Sequence, residues 1–221
     1  MENFPSNITA VNPEFITEAE MKKMIFSILI LVSWSASLSA ETYHSSFGFT
    51  INIPTHWLIM SKQEVKDNPD LFDFENEFFK NTDKAMLNQI KNMVLSGKVE
   101  VYYNQNTTNI YFRDNINVYK QIGRLPQTVS ESKEACKNLP SELSRAYGKH
   151  TKVYNCGLRK VSGLNAFYSE FDGVVDKTKN IQFQIQKSPS VIITITATCK
   201  NQSLKIIKKE FEDIVSSIKL D

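Results

Sequence analysis

The chain has 221 residues, of which 41% are hydrophobic and 23% charged, and its formal net charge is +2 at pH 7. This composition is typical of a globular protein and excludes a low-complexity or strongly charged chain. Its densest basic cluster, Lys205 with Lys208 and Lys209, alternates with acidic residues on a predicted helix. Such a pattern is typical of a solvated helix face, so we expect no nucleic-acid binding.

Residues 21–40 have the three-part pattern of a secretory signal peptide. Lys22 and Lys23 form a positive start, an apolar run covers 24–34, and small residues lead to Ala40. The pattern predicts cleavage after Ala40 and an exported protein, periplasmic or secreted. The apolar run is shorter than the roughly 20 residues that a membrane-spanning helix needs. We therefore expect a membrane contact only if this segment stays uncleaved.

Residues 1–20 differ from a signal start, because they carry four glutamates and no Lys or Arg. We interpret them as an over-extended, disordered N-terminus, with translation starting at Met21. The alternative is a disordered tail that precedes an internal signal. In both cases the folded part is predicted to be a single globular domain over 41–221, a size normal for one domain.

The predicted domain opens with a strand at 46–54, where larger apolar residues alternate with smaller or polar ones. Pro54 ends it, because proline cannot donate to a sheet ladder. His56 and Trp57 follow in a turn, and a short extended piece is predicted at 58–60. His56 is the one histidine of interest for binding, although the favoured interpretation is a residue of a surface turn.

The segment 61–80 is polar and predicted to be irregular. Its part DLFDFENEFF at 70–79 interleaves acidic and aromatic residues. One interpretation is an amphipathic flap over the sheet. The other is a partner-binding segment, because contiguous exposed aromatic side chains mark interfaces. The partner-binding interpretation assigns contacts to Phe72, Phe74, Phe78, Phe79, His56 and Trp57.

Two helices are predicted in the middle of the chain. The first covers 82–97, with Thr82 as N-cap and Gly97 at the position of a C-terminal glycine. The second begins at a capping box of Thr128 and Glu131. The predicted buried stripes are Met86, Ile90, Met93 and Val94 in the first helix and Cys136, Leu139, Leu143 and Tyr147 in the second.

Strand signals dominate the rest of the chain. The segment 181–187 alternates cleanly and is expected to have one wet face, whereas 190–199 is apolar or β-branched throughout and is expected at the sheet centre. A final amphipathic helix includes Phe211 on its apolar stripe. Because hairpins dominate, we predict the α+β class, a mostly antiparallel β-sheet flanked by helices. The four late strands are predicted at 151–160, 164–172, 181–187 and 190–199.

The three cysteines allow one disulfide in an exported chain, with one thiol left over. Cys136 lies roughly 16 Å before the end of its predicted helix, at about 1.5 Å per residue. Cys156 lies roughly 20 Å into the next strand, at about 3.3 Å per residue. If the chain reverses at Gly148, the two sulfurs come to similar heights. We predict the disulfide Cys136–Cys156, with Cys199 free as a small core residue.

The order of these segments resembles a known family. SFGFTINIPTHW opens the domain, LNAFYSEFDG precedes an apolar strand, and FEDIVSSIKL forms the last helix. This order resembles the PsbP-like α/β/α sandwich over most of 46–220. That fold is shared by the extrinsic oxygen-evolving-complex protein, a nuclear-import factor that binds the Ran GTPase, and small exported bacterial proteins. The resemblance implies a non-enzymatic binding or accessory protein, and it transfers no site residue.

The sequence contains no pattern that predicts chemistry. It lacks HExxH, CxxC, GxSxG and any phosphate-binding glycine loop. We therefore predict no catalytic residue, no metal site and no cofactor. The expected function is an exported, non-enzymatic binding or accessory protein of the bacterial envelope or secretome, with an unknown protein or envelope partner. The alternatives are a hydrolase with dispersed catalytic residues and a structural envelope protein held by an uncleaved apolar segment.

Overall fold

Secondary structure was analysed in a computed structural model, which describes residues 39–72, 79, 83–109 and 111–221. The strands in this part of the chain are β1 (Ala40–Ser45), β2 (Phe49–Pro54), β3 (Trp57–Met60), β4 (Glu100–Asn104), β5 (Asn115–Ile122), β6 (Val153–Val161), β7 (Leu164–Asp172), β8 (Thr178–Ser188), β9 (Val191–Lys200) and β10 (Lys219–Leu220). The helices are α1 (Lys62–Asp67), α2 (Lys84–Leu95), α3 (Val129–Tyr147) and α4 (Leu204–Ser216), with a 3-10 turn at Pro69–Phe72.

Seven strands form the main sheet in the order β3-β4-β5-β9-β8-β7-β6, and each neighbouring pair is antiparallel. Strand β9 is the fourth of the seven, and its residues 192–197 are buried on both faces. The central position predicted for 190–199 is therefore confirmed. A smaller antiparallel sheet has the order β1-β2-β10.

The larger apolar core lies on one face of the seven-stranded sheet. The small sheet contributes Phe49 and Ile51, and α4 contributes Phe211 and Val215, all at most 1% exposed. They pack against inward side chains of the central strands, such as Ile195. The apolar stripe predicted for the final helix is thus confirmed, because α4 places a residue toward the sheet at every third or fourth position.

Helices α2 and α3 both lie on the opposite face of the seven-stranded sheet. Leu87 and Val94 of α2 pack against Val101 and Tyr103 of β4. At the other margin, α3 is joined to β6 through Cys136. Directly paired residues of neighbouring strands point to the same face of a sheet. A row of such pairs connects Val101, under α2, to Cys156, under α3, so the two helices lie on one face. The row is Val101↔Asn117↔Thr196↔Gln182↔Ser169↔Cys156.

The predicted disulfide is present between Cys136 and Cys156, whose Cα atoms are 5.7 Å apart. The two residues join the middle of α3 to the edge strand β6. Cys199 is a free thiol, fully buried in the core, as expected. Burial raises the pKa of the Cys199 thiol to about 12. This cysteine therefore behaves as a small apolar residue of the core.

The β1–β2 turn is held to the main sheet by a buried carboxylate. Glu100, which is 1% exposed, accepts hydrogen bonds from the hydroxyls of Ser45, Ser46 and Tyr102, all at 2.8–2.9 Å, and from the Ser46 backbone N–H at 2.9 Å. Burial and the Glu100 charge raise the pKa of Tyr102. The four donors satisfy both carboxylate oxygens, which a buried charge requires.

The first helical region departs from the sequence prediction. Ser61 caps α1 by accepting from the Glu64 N–H, so part of the segment expected to be irregular is helical. Asp83, and not Thr82, is the N-cap of α2, since its side chain accepts from the Met86 N–H at 2.8 Å. Thr82 lies outside the described residues. The buried face of α2 also differs from the predicted one, because Leu87 is buried while Met86 is 40% exposed.

Helix α3 follows its predicted start more closely. The Thr128 hydroxyl accepts from the Glu131 N–H at 3.1 Å, and Glu131 Oε2 accepts from the Gln127 N–H at 2.6 Å, so the carboxylate lies at the free amides of the helix start. The helix continues through Pro140 without interruption and ends at Gly148, whose φ of +66° favours glycine. Its apolar stripe is only half-buried: Cys136, Leu139, Leu143 and Tyr147.

Residues Ser39–Asp221 form one compact unit. The expected leader 1–20 and all but the end of the expected signal 21–40 lie outside the described residues. Within the described ranges, none of the helices has the length and apolar character needed to cross a bilayer.

Candidate functional site

A three-by-three array of uncharged polar side chains occupies the middle of the main sheet, on the face that carries α2 and α3. We call it the polar sheet face. It combines alternate residues of β5, β9 and β8, and the intervening residues point into the apolar core. Its three rows, read across the strands, are Tyr119–Thr194–Gln184, Asn117–Thr196–Gln182 and Asn115–Thr198–Asn180.

The polar sheet face is a floor between two walls. Tyr103 and the α2 cluster border β5 on one side, and α3 with the disulfide borders the far strands on the other. Neighbouring strands lie about 4.8 Å apart, so the three strands span roughly 10 Å between their outer axes. The long amide side chains of Gln182 and Gln184 are half-buried, as is Asn117. These groups can therefore meet a ligand without unfolding of either helix.

The members of the polar sheet face are partly bonded to one another. Gln182 Nε2 donates to Thr196 Oγ1 at 2.9 Å, and Thr198 Oγ1 donates to Asn180 Oδ1 at 2.8 Å. Asn117 Nδ2 donates to a neighbouring asparagine at 2.8 Å. Within the described part of the chain, the Gln184 amide makes no hydrogen bond. Unused donors and acceptors therefore remain at Gln184 and at the amide oxygens of Gln182 and Asn117.

One hydroxyl beneath this surface lacks a well-formed hydrogen bond. Thr194 is fully buried, and its Oγ1 has no partner of acceptable geometry among the described residues. The Tyr119 hydroxyl is its nearest polar neighbour: burial raises the pKa of Tyr119, and the Thr194 hydroxyl partly offsets that rise. A buried hydroxyl without a full partner destabilises a sheet, so this strand position is not optimised for stability alone.

Two tyrosines approach the polar sheet face from different elements. Tyr119 belongs to β5, and Tyr147 lies in the last turn of α3. Tyr147 Oη accepts from Asn180 Nδ2 at 3.3 Å. Burial raises the pKa of Tyr147; the bond from Asn180 opposes this rise, and the proximity of Tyr119 adds to it. Both phenols therefore stay neutral at physiological pH, and the surface as a whole carries no charge.

No protein-family model and no curated protein matches the chain. Among solved structures, the chain is similar to cyanobacterial PsbP (CyanoP) from Synechocystis sp. PCC 6803, with a TM-score of 0.51 and 12% identity. The superposition covers 85% of this chain and 96% of that chain. The fold is PsbP-like. A protein from Bacteroides thetaiotaomicron is a weaker match, with a TM-score of 0.42, 13% identity, and coverage of 82% of this chain and 48% of that one.

Sequence patterns alone missed the polar sheet face of this PsbP-like fold, although they indicated single strands of it. Alternation in 181–187 did predict a wet face, and Gln182 and Gln184 are indeed half-buried while Ile181, Phe183 and Ile185 are buried. The threonines of β9 alternate in the same way. Only the cross-strand register, however, shows that these residues and the asparagines of β5 share one surface.

Two of the residues predicted to bind a partner form a tether inside the PsbP-like fold. His56 Nε2 lies 2.7 Å from Glu210 Oε1, and Trp57 Nε1 donates to the same oxygen at 3.0 Å. Trp57 is only 3% exposed, whereas His56 is half-buried. The pair therefore fixes the β2–β3 turn to α4. Trp57 is not a surface residue, because its ring fills the core beside that turn.

Phe79 is also absent from any exposed aromatic patch. It is 3% exposed, and its ring packs edge-on against Tyr103 with centroids 5.5 Å apart. Its ring covers part of the apolar surface that α2 and β4 form, as the flap interpretation expects at this position. Phe74 and Phe78 lie outside the described residues, and of Phe72 only the backbone, in the 3-10 turn, is described.

Across the described residues, no cluster of three or more His, Cys, Asp or Glu side chains has the arrangement of a metal site. Opposite charges pair instead with one another on the outer surfaces. Lys208 Nζ lies 2.6 Å from Glu170 Oε2, and Arg159 Nη1 lies 3.3 Å from Glu212 Oε1. These partly exposed pairs attach α4 to the edge of the sheet and contribute little individually to stability.

Proposed function

We propose that the chain is an exported, non-enzymatic binding or accessory protein of the bacterial envelope or secretome, and that it binds through the polar sheet face. The signal pattern at 21–40 supports export, and a disulfide between Cys136 and Cys156 is compatible with an oxidising compartment. The PsbP-like fold supports an accessory role by analogy, and the functional site must carry the rest of the proposal.

The observation that carries the proposal is the polarity of the array at the sheet centre. An antiparallel sheet that carries helices on one face usually places apolar side chains beneath them. Here nine hydroxyl, phenol and amide groups occupy the part of this face that lies between the two helices. Ordered polar groups convergent on one surface, with hydrogen-bonding capacity left at Gln184, are what a binding site needs.

Site-directed photo-crosslinking tests the binding surface without knowledge of the ligand. A benzophenone amino acid replaces Gln184 or Asn117 in the full chain, expressed in its own host. Asn138, an exposed amide residue on α3, is the matched control. We expect adducts of defined mass from positions 184 and 117 and none from 138. If the three positions give the same products, or none, the polar sheet face is not the binding surface.

N-terminal sequencing tests the export part of the proposal. We expect the protein recovered from the periplasm or the medium to begin near Glu41, because small residues precede Ala40 at the predicted cleavage site. Expression from Met21 should give as much exported protein as expression from Met1. A mature chain that retains Met1 or Met21 would contradict export by cleavage.

A further inference from the structure

We infer that the polar sheet face binds a neutral saccharide chain. This inference rests on the proposed binding function and names the ligand class of the same surface. The array is uncharged, has unused hydrogen-bonding groups, lies beside two tyrosine rings and occupies the middle of the sheet.

The array selects against charged ligands. None of its nine members is Asp, Glu, Lys or Arg, and its two tyrosine environments keep the phenols neutral. A carboxylate, phosphate or ammonium group that entered the floor between α2 and α3 would lose hydration without gaining an opposite charge. Burial of an unpaired charge costs far more than burial of a hydroxyl that finds a partner. A neutral ligand therefore fits this floor best.

The array matches ligands whose groups both donate and accept. Each amide offers an N–H and a carbonyl oxygen, and each hydroxyl can do either. The Gln184 amide is unbonded within the described residues, and the hydrogen bonds of the Gln182 and Asn117 side chains within that part of the chain use only their nitrogen atoms. Saccharide hydroxyls can satisfy donors and acceptors alike, whereas an apolar ligand would leave all of them unpaired.

The spacing of the array is suited to a chain and not to a single small molecule. Successive same-face residues on one strand lie about 6.6 Å apart, and neighbouring strands lie about 4.8 Å apart. Six of the nine members are only half-buried, and at these intervals they cover an area wider than one sugar ring. Tyr119, on the floor, and Tyr147, from α3, add ring surfaces on which the apolar C–H face of a sugar can pack.

The position of the array argues against a peptide ligand. Extended peptides usually bind by adding a strand to an exposed sheet edge. Strands β5, β9 and β8 are each paired on both sides, so their backbone groups are already used. A ligand must therefore be recognised by side chains alone, which suits a saccharide.

The test uses the purified exported protein and four soluble probes. Cellohexaose, maltohexaose and chitohexaose are the neutral saccharides, and hexagalacturonate is the charged control. The readout is the side-chain amide signals of Asn117, Gln182 and Gln184 in ¹H–¹⁵N spectra. We expect at least one neutral hexasaccharide to shift these three signals in a saturable way, and hexagalacturonate to leave them unchanged. Absence of a shift with all three neutral probes overturns the inference.

Two alanine variants locate the contact. Asn117→Ala and Gln184→Ala each remove a half-buried amide without opening the apolar core, and each should weaken saccharide binding about five-fold, as expected for one hydrogen bond. Asn138→Ala on the outer surface of α3 is the matched control and should bind normally. Undiminished binding by both array variants overturns the assignment. The spectra of the unmodified protein keep the test valid even if a variant folds poorly.

The remaining outcomes separate this inference from the proposed function. A neutral Gly-Ser dodecapeptide is included, and if it alone shifts the three signals, the saccharide assignment is wrong while the binding surface stands. Photo-crosslinks at positions 117 and 184 without any saccharide binding lead to the same conclusion. The lack of both crosslinks and saccharide binding overturns the two proposals together.

Discussion

Glu100 is the buried charge on which the attachment of the β1–β2 turn depends. Its Oε1 accepts two hydrogen bonds from Ser46, and its Oε2 accepts one each from Ser45 and Tyr102. The Ser46 backbone N–H can only donate, so it fixes an acceptor at the Oε1 position. An amide of the same shape would then place its NH₂ against the hydroxyls of Ser45 and Tyr102, which would have to turn and accept.

Glu100→Gln is therefore expected to lower the free energy of unfolding by on the order of 2 kcal/mol, since the hydrogen bonds lose the carboxylate charge and the Ser45 and Tyr102 hydroxyls lose the acceptor of their protons. Urea unfolding followed by tryptophan fluorescence measures the change. The control is Glu134→Gln, an exposed glutamate on α3 that should change stability little. Equal stabilities of the two variants would show that the Glu100 carboxylate does not hold the turn.

Single residues differ in how far sequence patterns could predict them. The pair Cys136–Cys156 was predictable, because helix and strand rises are fixed and Gly148 reverses the chain between them. The burial of Trp57 and Phe79 was not. Trp57 follows a predicted turn and Phe79 lies in a segment of acidic and aromatic residues. Each is buried because an element distant in sequence, α4 or β4, supplies a partner.

Helix α2 offers a test of the cap at the scale of an element. The side chain of Asp83 accepts from the Met86 N–H and brings a negative charge to the helix start. Asp83→Ala should therefore lower the free energy of unfolding by about 1 kcal/mol, the usual cost of losing an N-cap. Thr82→Ala, at the position that the sequence pattern favoured, is the comparison and should be nearly neutral. If thermal or urea unfolding shows a larger loss of stability for Thr82→Ala than for Asp83→Ala, Thr82 is the N-cap.

Helix α3 depends on its covalent link to β6. Its apolar stripe is half-buried, so packing alone holds it weakly. Replacement of both Cys136 and Cys156 by alanine should lower the free energy of unfolding by on the order of 3 kcal/mol, given the separation of 20 residues. Cys199→Ala, which affects the core but no disulfide, is the comparison.

Thiol labelling of unmodified exported protein checks the same assignment. Without reductant, iodoacetamide should modify no cysteine of the folded protein and only Cys199 after unfolding, because burial raises the pKa of that thiol. Non-reducing peptide mapping should recover Cys136 and Cys156 in one linked pair. A disulfide peptide that contains Cys199 would contradict both the prediction and the structure.

Most elements were predictable from local patterns, and the exceptions have a shared cause. Apolar and polar residues alternate strongly in the late strands, and apolar residues recur at helical spacing in α4. The type and place of these elements were therefore predicted. Strand β1 was missed because four of its six residues are exposed and its order comes from pairing with β2. Helix α1 was missed because six residues give too little periodicity, and its stability comes from the Ser61 cap.

At the scale of the whole molecule, the antiparallel sheet and its flanking helices followed from the density of hairpins, whereas the polar sheet face did not. The array exists only through the register between β5, β9 and β8. A shift of one residue in either pairing would turn the asparagines or threonines toward the apolar core. Local alternation reveals that each strand has a polar side, but only the assembled sheet shows that three polar sides meet.

The buried tyrosines predict how the whole domain responds to alkali. Burial, followed by the charge of Glu100, raises the pKa of both Tyr43 and Tyr102 above the ordinary value near 10. Their stabilising contribution is fully present below pH 10 and falls as the pH rises through the higher values of the folded state. Above pH 10 the free energy of unfolding should decrease by about 1.4 kcal/mol per pH unit for each tyrosine that stays protonated.

Urea unfolding at pH 8, 10 and 11 measures this dependence. Tyr102→Phe removes one of the titrating groups, so the variant should lose less stability between pH 10 and 11 than the unmodified protein. Tyr111→Phe is the matched control, since Tyr111 is 73% exposed. A free energy of unfolding that stays constant from pH 8 to 11 would mean that the tyrosines ionise freely within the fold.

The small sheet sets a condition on when the protein can finish folding. Strand β2 pairs on one side with β1 and on the other with β10, where Thr50 meets Lys219 and Phe49 meets Leu220. A chain synthesised from its N-terminus therefore presents β2 long before the last strand of that sheet is made. Contacts so distant in sequence form slowly. Closure of the small sheet is thus a late event, which requires almost the whole chain to be present.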